Sequence, residues 1–220
     1  MLERHGWRIQ AVLVAAMALA AAWAYIQLPA GTPVAVHFNA LGEADGWASA
    51  GVGLFLLPAI ALALLGLQWL LPRIDPRGEN LRRSARAVGT IFLAVTAVLA
   101  LLQAHAVAQA LGLAGPAPRM PLLLVGGLFI VVGNLLGKLR PNHTVGIRTP
   151  WTLSNERVWD QTHRFAGKVF VAAGLLLIAL AVAPLPGHWQ GGAVAGVVLT
   201  AAGVAVARSW WLYRRLQAGG

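Results

Sequence analysis

The chain has no cysteine at all. That excludes disulfides, thiolate metal sites and a cysteine nucleophile. Charge is scarce: 11% of the 220 residues are Asp, Glu, Lys or Arg, where a soluble domain carries about 25%. Acids are scarcest, with seven Asp and Glu against 17 Lys and Arg. None of them falls inside a long apolar run, so there is no chain of intramembrane carboxylates of the kind a proton-coupled pump uses. Nucleophile elbow, Walker loop, dinucleotide fingerprint and HExxH are missing as well. Nothing asks for an enzyme or a cofactor.

What the chain does have is apolar length. It is 58% hydrophobic, with a mean hydropathy of +0.69. Six runs approach the roughly 20 residues that a helix needs to cross the hydrocarbon: residues 7–27, 51–71, 88–111, 121–139, 165–183 and 189–207. Backbone groups in lipid must be satisfied within the segment, and no alternating barrel pattern occurs. The expected fold is therefore all-α, a polytopic membrane protein built as a six-transmembrane-helix bundle. We divide it into an N-terminal module at 1–87, a third helix and connector at 88–120, and a C-terminal module at 121–220. The first run, preceded by Arg4 and Arg8, is read as a signal anchor and first span.

The basic residues set the orientation. Every Lys and Arg except Arg119 falls at the N-terminus, after the second run, in the region from Lys138 to Lys168 where the fourth run ends and the fifth begins, or in the C-terminal tail. The positive-inside rule puts both termini and those two connections in the cytoplasm, for a multi-pass protein of the cell's inner (plasma) membrane. The net charge of +10 is spread over short clusters between apolar runs. That pattern suits anionic membrane lipid and argues against direct nucleic-acid binding.

Two polar stretches interrupt the apolar chain. The first, "VHFNALGEADGW", lies in the outer loop and has no Lys or Arg. His37, Asn39, Glu43 and Asp45 suit a cation or a cationic peptide, Phe38 and Trp47 offer apolar contact, and Gly42 permits a turn. The alternative is an interface loop held by its aromatics. The second, "HTVGIRTPWTLSNERVWDQTHR", lies between the fourth and fifth runs. Pro150 and Gly146 predict an ordered loop or re-entrant segment, followed by a helix N-capped at Ser154. That helix would start amphipathic, with Val158, Thr162, Phe165 and Val169 on one face. Arg157, Asp160, Gln161, Arg164 and Lys168 would lie on the other. Trp151 and Trp159 suit interface anchors. Arginines alone explain lipid attachment. They do not explain Asn142, His143, Thr144, Asn155, Gln161, Thr162 and His163 so close together, which points to a specific polar network.

Glu156, Asp160 and His163 share a helical face, with His143 as a further donor, so they form a weak metal candidate. Within the bilayer, Gln103, His105 and Gln109 punctuate the third helix and Asn134 the fourth. His105 serves either as structural glue with Gln109 or Asn134, or as part of a proton path. Gly133 with Gly137, and Gly192 with Gly196, permit close helix approach.

Together the two stretches resemble the SdpI family of bacterial membrane proteins. The likeness rests on "HFNALGEADGW" and, more specifically, on "GNLLGKLRPNHTVGIRTPWTLSNERVWDQTHRFAGK". The latter carries Asn134, Arg140, Asn142, Gly146, Arg148, Thr149, Pro150, Trp151, Asn155, Trp159, Thr162 and His163. The resemblance implies an immunity protein that protects a producing cell from its own secreted killing-factor peptide. It also implies signalling in which a transcriptional repressor is held at the membrane. The rival reading is a small membrane transporter or metal-dependent membrane enzyme using the inner polar loop.

Overall fold

The computed structural model describes residues 2–39, 44–184 and 188–218. Among these, five helices are long and apolar enough to cross a membrane. They are α1 (Leu2–Gln27), α2 (Ala50–Ile74), α4 (Ala85–Ala110), α7 (Glu156–Val182) and α8 (His188–Ala218). The fourth expected run forms α5 (Met120–Leu136), apolar but for Asn134 and, at 17 residues, shorter than these five. Two short helices lie between spans: α3 (Gly78–Arg83) and α6 (Pro150–Ser154). Large apolar side chains such as Leu19, Ile26, Leu62, Leu175 and Leu199 face outward along the spans, which only a lipid-facing surface tolerates.

One departure from the all-α expectation is the connection between α1 and α2. It is an antiparallel hairpin of β1 (Pro33–Phe38) and β2 (Ala44–Ser49), not an irregular loop. The run "PVAVHF" alternates, and Val34 is buried against Ala21, Ala24, Leu54 and Val107. This β-branched alternation fits a half-buried strand, and the strand covers the ends of three helices.

α1, α2 and α4 pack on one another, and α5, α7 and α8 form a second group joined through the α4–α5 contact. The tightest crossing is α5 on α7, and its cause is four glycines. A Cβ on Gly133 would lie 2.7 Å from the Gly167 carbonyl oxygen, and one on Gly167 would lie 2.6 Å from that of Gly133. Gly126 and Gly174 repeat the relation seven residues along each helix, at 2.9 and 2.5 Å. The expected Gly133–Gly137 pair is thus replaced by Gly126 with Gly133, since Gly137 meets only the Arg164 side chain and backbone. Gly192 and Gly196 of α8 have nothing within 4 Å of a would-be Cβ. They make no close crossing within the described chain.

The connection after α2, the segment after α5, the start of α7 and the end of α8 meet at one end of the bundle. A single apolar cluster there includes Leu71, Leu81, Phe92, Leu139, Trp159 and Ala205. The hairpin and the α4–α5 connection occupy the opposite end.

Candidate functional site

At the end of the bundle opposite the hairpin, residues 137–164 are built around side chains that satisfy backbone groups. Asn142, fully buried, closes the first turn. Its Oδ1 accepts from Thr144 N at 2.9 Å and Val145 N at 2.6 Å, and its Nδ2 donates to the Arg140 and Val145 carbonyls. Gly146 follows with φ of +124°, a conformation open to glycine and strained for any side chain. There the chain passes over the His163 ring.

His163 is fully buried and stacked on Trp159, with ring centroids 4.0 Å apart. Its Nε2 accepts from Ile147 N–H at 2.9 Å. An accepting Nε2 leaves the proton on Nδ1, which lies 2.9 Å from the Trp159 carbonyl and donates to it. The imidazole is neutral and both nitrogens are used. It therefore offers no lone pair to a metal, and Glu156 and Asp160 lie on the exposed face of α7. The candidate metal set is not assembled, and among the described residues no group of three His, Asp or Glu is placed to hold an ion.

Thr149 starts α6 with a reciprocal capping box to Thr152, and Pro150 takes the first helical turn, where its missing N–H costs nothing. Thr152 Oγ1 also donates to the Ile147 carbonyl at 2.8 Å. The N-cap of α7 is Asn155, not the expected Ser154. Asn155 Oδ1 accepts from the Arg157 and Val158 amides, because Ser154 is taken up as the last residue of α6. The amphipathic start of α7 appears as expected. Val158 and Thr162 are buried, and Arg157, Asp160, Gln161, Arg164 and Lys168 are exposed.

Trp159 is not an interface anchor. It is fully buried and its indole N–H donates to the Leu139 carbonyl at 2.8 Å. An indole that can reach a carbonyl inside the bundle gains both burial and a satisfied donor. Trp151 is half-buried in α6, while Arg148 is exposed and donates to the His143 carbonyl at 2.9 Å. The stretch thus has a rigid polar core with an exposed basic surface that includes Arg140, Arg148, Arg157 and Arg164.

Sequence reasoning missed the partners that hold this loop from outside it. Asp75, at the end of α2, places a carboxylate with no exposed side-chain surface under the loop. Its Oδ1 accepts from Arg77 N–H at 2.7 Å. Its Oδ2 accepts from His143 N–H at 2.9 Å and Thr144 Oγ1–H at 2.5 Å. Arg77 donates to the Leu153 carbonyl, Asn80 to the Pro141 carbonyl, and Arg140 N–H to Ser84 Oγ. Ser209 of α8 lies 3.2 Å from Thr149 Oγ1. One signal was present in the sequence: Asp75 is an acid in a connection that otherwise carries five arginines and Glu79.

Burial raises the pKa of Asp75, but the Thr144 hydroxyl, the Arg77 and His143 amides and the nearby His143 ring together bring it below the ordinary carboxylate value. A lowered folded pKa means that Asp75 stabilises the protein above about pH 4 and stops doing so as pH falls through the folded value. Asp75→Asn keeps the shape but leaves one of these donors facing an amide N–H. We expect it to cost about 2 kcal/mol at pH 7 and to flatten the loss of stability on acidification. Tryptophan-fluorescence melting in detergent between pH 3 and 7 reads both. Parallel acid limbs for the two proteins would contradict the assignment.

At the opposite end, His37 Nδ1 lies 2.5 Å from Asp45 Oδ1 across the hairpin, both groups exposed. Trp47, in register with Ala35, is exposed, and Phe38 is in register with Ala44. Gly42 and Glu43 lie outside the described residues, and Asn39 follows β1 at the tip. Among the described residues the intramembrane polar side chains form no connected path. Gln103 donates to the Leu54 carbonyl, Gln109 to that of Gly115, and Asn134 back to Ile130 of its own helix. His105 pairs with neither Gln109 nor Asn134 in this set and instead lines an apolar cavity.

Residues 138–209 match the SdpI/YfhL protein family, and residues 12–62 match a domain of unknown function, DUF1648. Among curated proteins, "Immunity protein SdpI" of Bacillus subtilis (strain 168) is 42% identical over 62 residues, covering 26% of this chain and 30% of that protein. "Uncharacterized protein YfhL" of the same organism is 30% identical over 61 residues, covering 26% of this chain and 56% of the relative. The chain thus spans under a third of one relative and about half of the other. No solved structure matches it. The first of these matched regions opens just before the buried Asn142–His163 framework and runs on through Ser209, so over about a third of its length, the framework included, the chain is similar to the SdpI/YfhL protein family.

Proposed function

We propose that this is a membrane immunity protein that protects its cell from a secreted antimicrobial peptide. The carrying observation is the match of residues 138–209 to the SdpI/YfhL family, with an immunity protein among the relatives. In this reading the end opposite the hairpin is cytoplasmic, as its basic residues suggest, and the protein sits in the plasma membrane with both termini inside. The hairpin end then faces outward. There His37, Phe38, Asn39, Asp45 and Trp47, with Gly42 and Glu43 of the same loop, meet the peptide. The three modules at 1–87, 88–120 and 121–220 divide the work, with recognition outside and the rigid Asn142–His163 framework inside.

The exposed arginines around that framework face lipid headgroups and leave a surface for a cytoplasmic repressor. Recruiting the repressor would let toxin binding reach transcription, provided that the peptide binds two arrangements of the bundle unequally. Expression in a toxin-sensitive strain tests the proposal. We expect survival above the empty vector when cells are challenged with culture supernatant of a peptide-producing strain. Survival equal to the vector, at normal membrane levels, would remove it.

A further inference from the structure

The bundle is not closed at the hairpin end. A cavity of about 660 Å³ lies between α2, α4, α5 and α8, within the size range of ligand pockets. Its walls are Gly53, Leu56 and Leu57 of α2, Leu102 and Ala106 of α4, and Val194, Ala195 and Val198 of α8. The hairpin residues Ala35 and Val36, Asn39 beyond them, and the connection at Ala117 and Pro118 complete it. Among the described lining residues, His105 and Asn39 are the polar side chains and none carries a fixed charge.

Two observations narrow the occupant. The first is depth. On each wall helix the cavity reaches only about one turn, some 6 Å at 1.5 Å per residue. One leaflet of hydrocarbon is about 15 Å deep, so the space is too short to hold a lipid chain along its length. The second is position and charge. The hairpin that forms one wall carries Asp45 and no Lys or Arg between residues 28 and 50. An apolar body with cationic groups beside it suits such a site.

We infer that this cavity receives the apolar side chains of a cationic amphipathic peptide arriving from the hairpin side, with His105 supplying the hydrogen bond that orients it. The inference rests on the immunity reading and gives it a site: the peptide is held in the cleft beneath the hairpin, and the exposed His37–Asp45 pair meets its basic flank. Ala195 is exposed on α8 toward this space, so a larger side chain there fills the cavity without disturbing a packed contact.

The absence of cysteine makes the test direct. In intact cells, Leu102→Cys and Val198→Cys are expected to react with a charged, membrane-impermeant maleimide, while Leu62→Cys on the lipid-facing side of α2 stays unlabelled. Ala195→Trp is expected to lower survival under challenge with producer-culture supernatant to the empty-vector level, at unchanged membrane abundance. Ala202→Trp, exposed on α8 and outside the cavity lining, is expected to keep full protection. Unreactive cysteines at 102 and 198 would mean a cavity filled by lipid and would overturn the inference. Intact protection in Ala195→Trp would overturn the inference and leave the immunity reading standing. A wild type that gives no protection removes both.

Discussion

Gly146→Ala is expected to cost about 3 kcal/mol and to lower the melting temperature by roughly 10 °C. Two effects add. Gly146 sits at φ of +124°, where a side chain brings about 1–3 kcal/mol of backbone strain. The new Cβ would also lie 2.5 Å from His163 Nε2 and 3.3 Å from the Trp159 ring. The His163 ring cannot retreat, because it is stacked on Trp159 and tied to the Trp159 carbonyl. The Ile147 N–H bond to Nε2 is therefore lost, leaving a buried donor and a buried acceptor without partners, at about 1–3 kcal/mol for an orphaned group. Melting of the detergent-solubilised protein measures the total. If the contact with His163 is the cause, the cost of Gly146→Ala in a His163→Ala background should be smaller than in the wild type. Equal costs in both backgrounds would leave backbone strain as the whole effect, and a shift under 0.5 kcal/mol would contradict both parts.

Gly167→Val is the second large expected effect, about 3 kcal/mol or more, with reduced accumulation in the membrane. Between helices in lipid there is no hydrophobic drive to compensate for poor packing, so close backbone approach supplies much of the association. At Gly167 the approach is to a carbonyl oxygen, 2.6 Å from the would-be Cβ, which no rotamer change relieves. Tilting the helices does not help, because Gly174 and Gly126 make the same contact seven residues away. The pair must separate along the whole seam. Gly192→Val and Gly196→Val are the controls: their Cβ atoms meet nothing within 4 Å, so each should change stability by less than about 0.5 kcal/mol. Equal effects at Gly167 and Gly192 would show that the α5–α7 seam is not where glycine matters.

These two cases also show how far a sequence reaches. Small-residue spacing marked both Gly133 and Gly192 as candidates for close packing, and spacing has no way to rank them. The ranking depends on which face each helix turns to its neighbour. The polar stretch from His143 to Arg164 is legible as a network only in part: Asn142, Thr144, Asn155 and His163 find partners, while the Thr162 hydroxyl is buried without one among the described residues. Its N-cap was misplaced by one residue because Thr149 nucleates a separate five-residue helix that ends at Ser154. Trp159 was read as an interface aromatic for a similar reason: an indole in an amphipathic turn looks the same from sequence whether it faces headgroups or the Leu139 carbonyl.

By itself the sequence determined the class of solvent and carried a family resemblance. Apolar runs of membrane-crossing length, scarce charge and one-sided arginines follow from hydration energies large enough to be read residue by residue. Only the tertiary structure decided what those residues do. Asp75 lies 68 and 69 residues before the two loop residues that bond to it, Ser209 meets Thr149 from the last helix, and His105 faces a cavity instead of its polar neighbours. Each of these roles belongs to a contact between distant segments. Such contacts are fixed by packing the whole bundle, and local spacing carries no record of them.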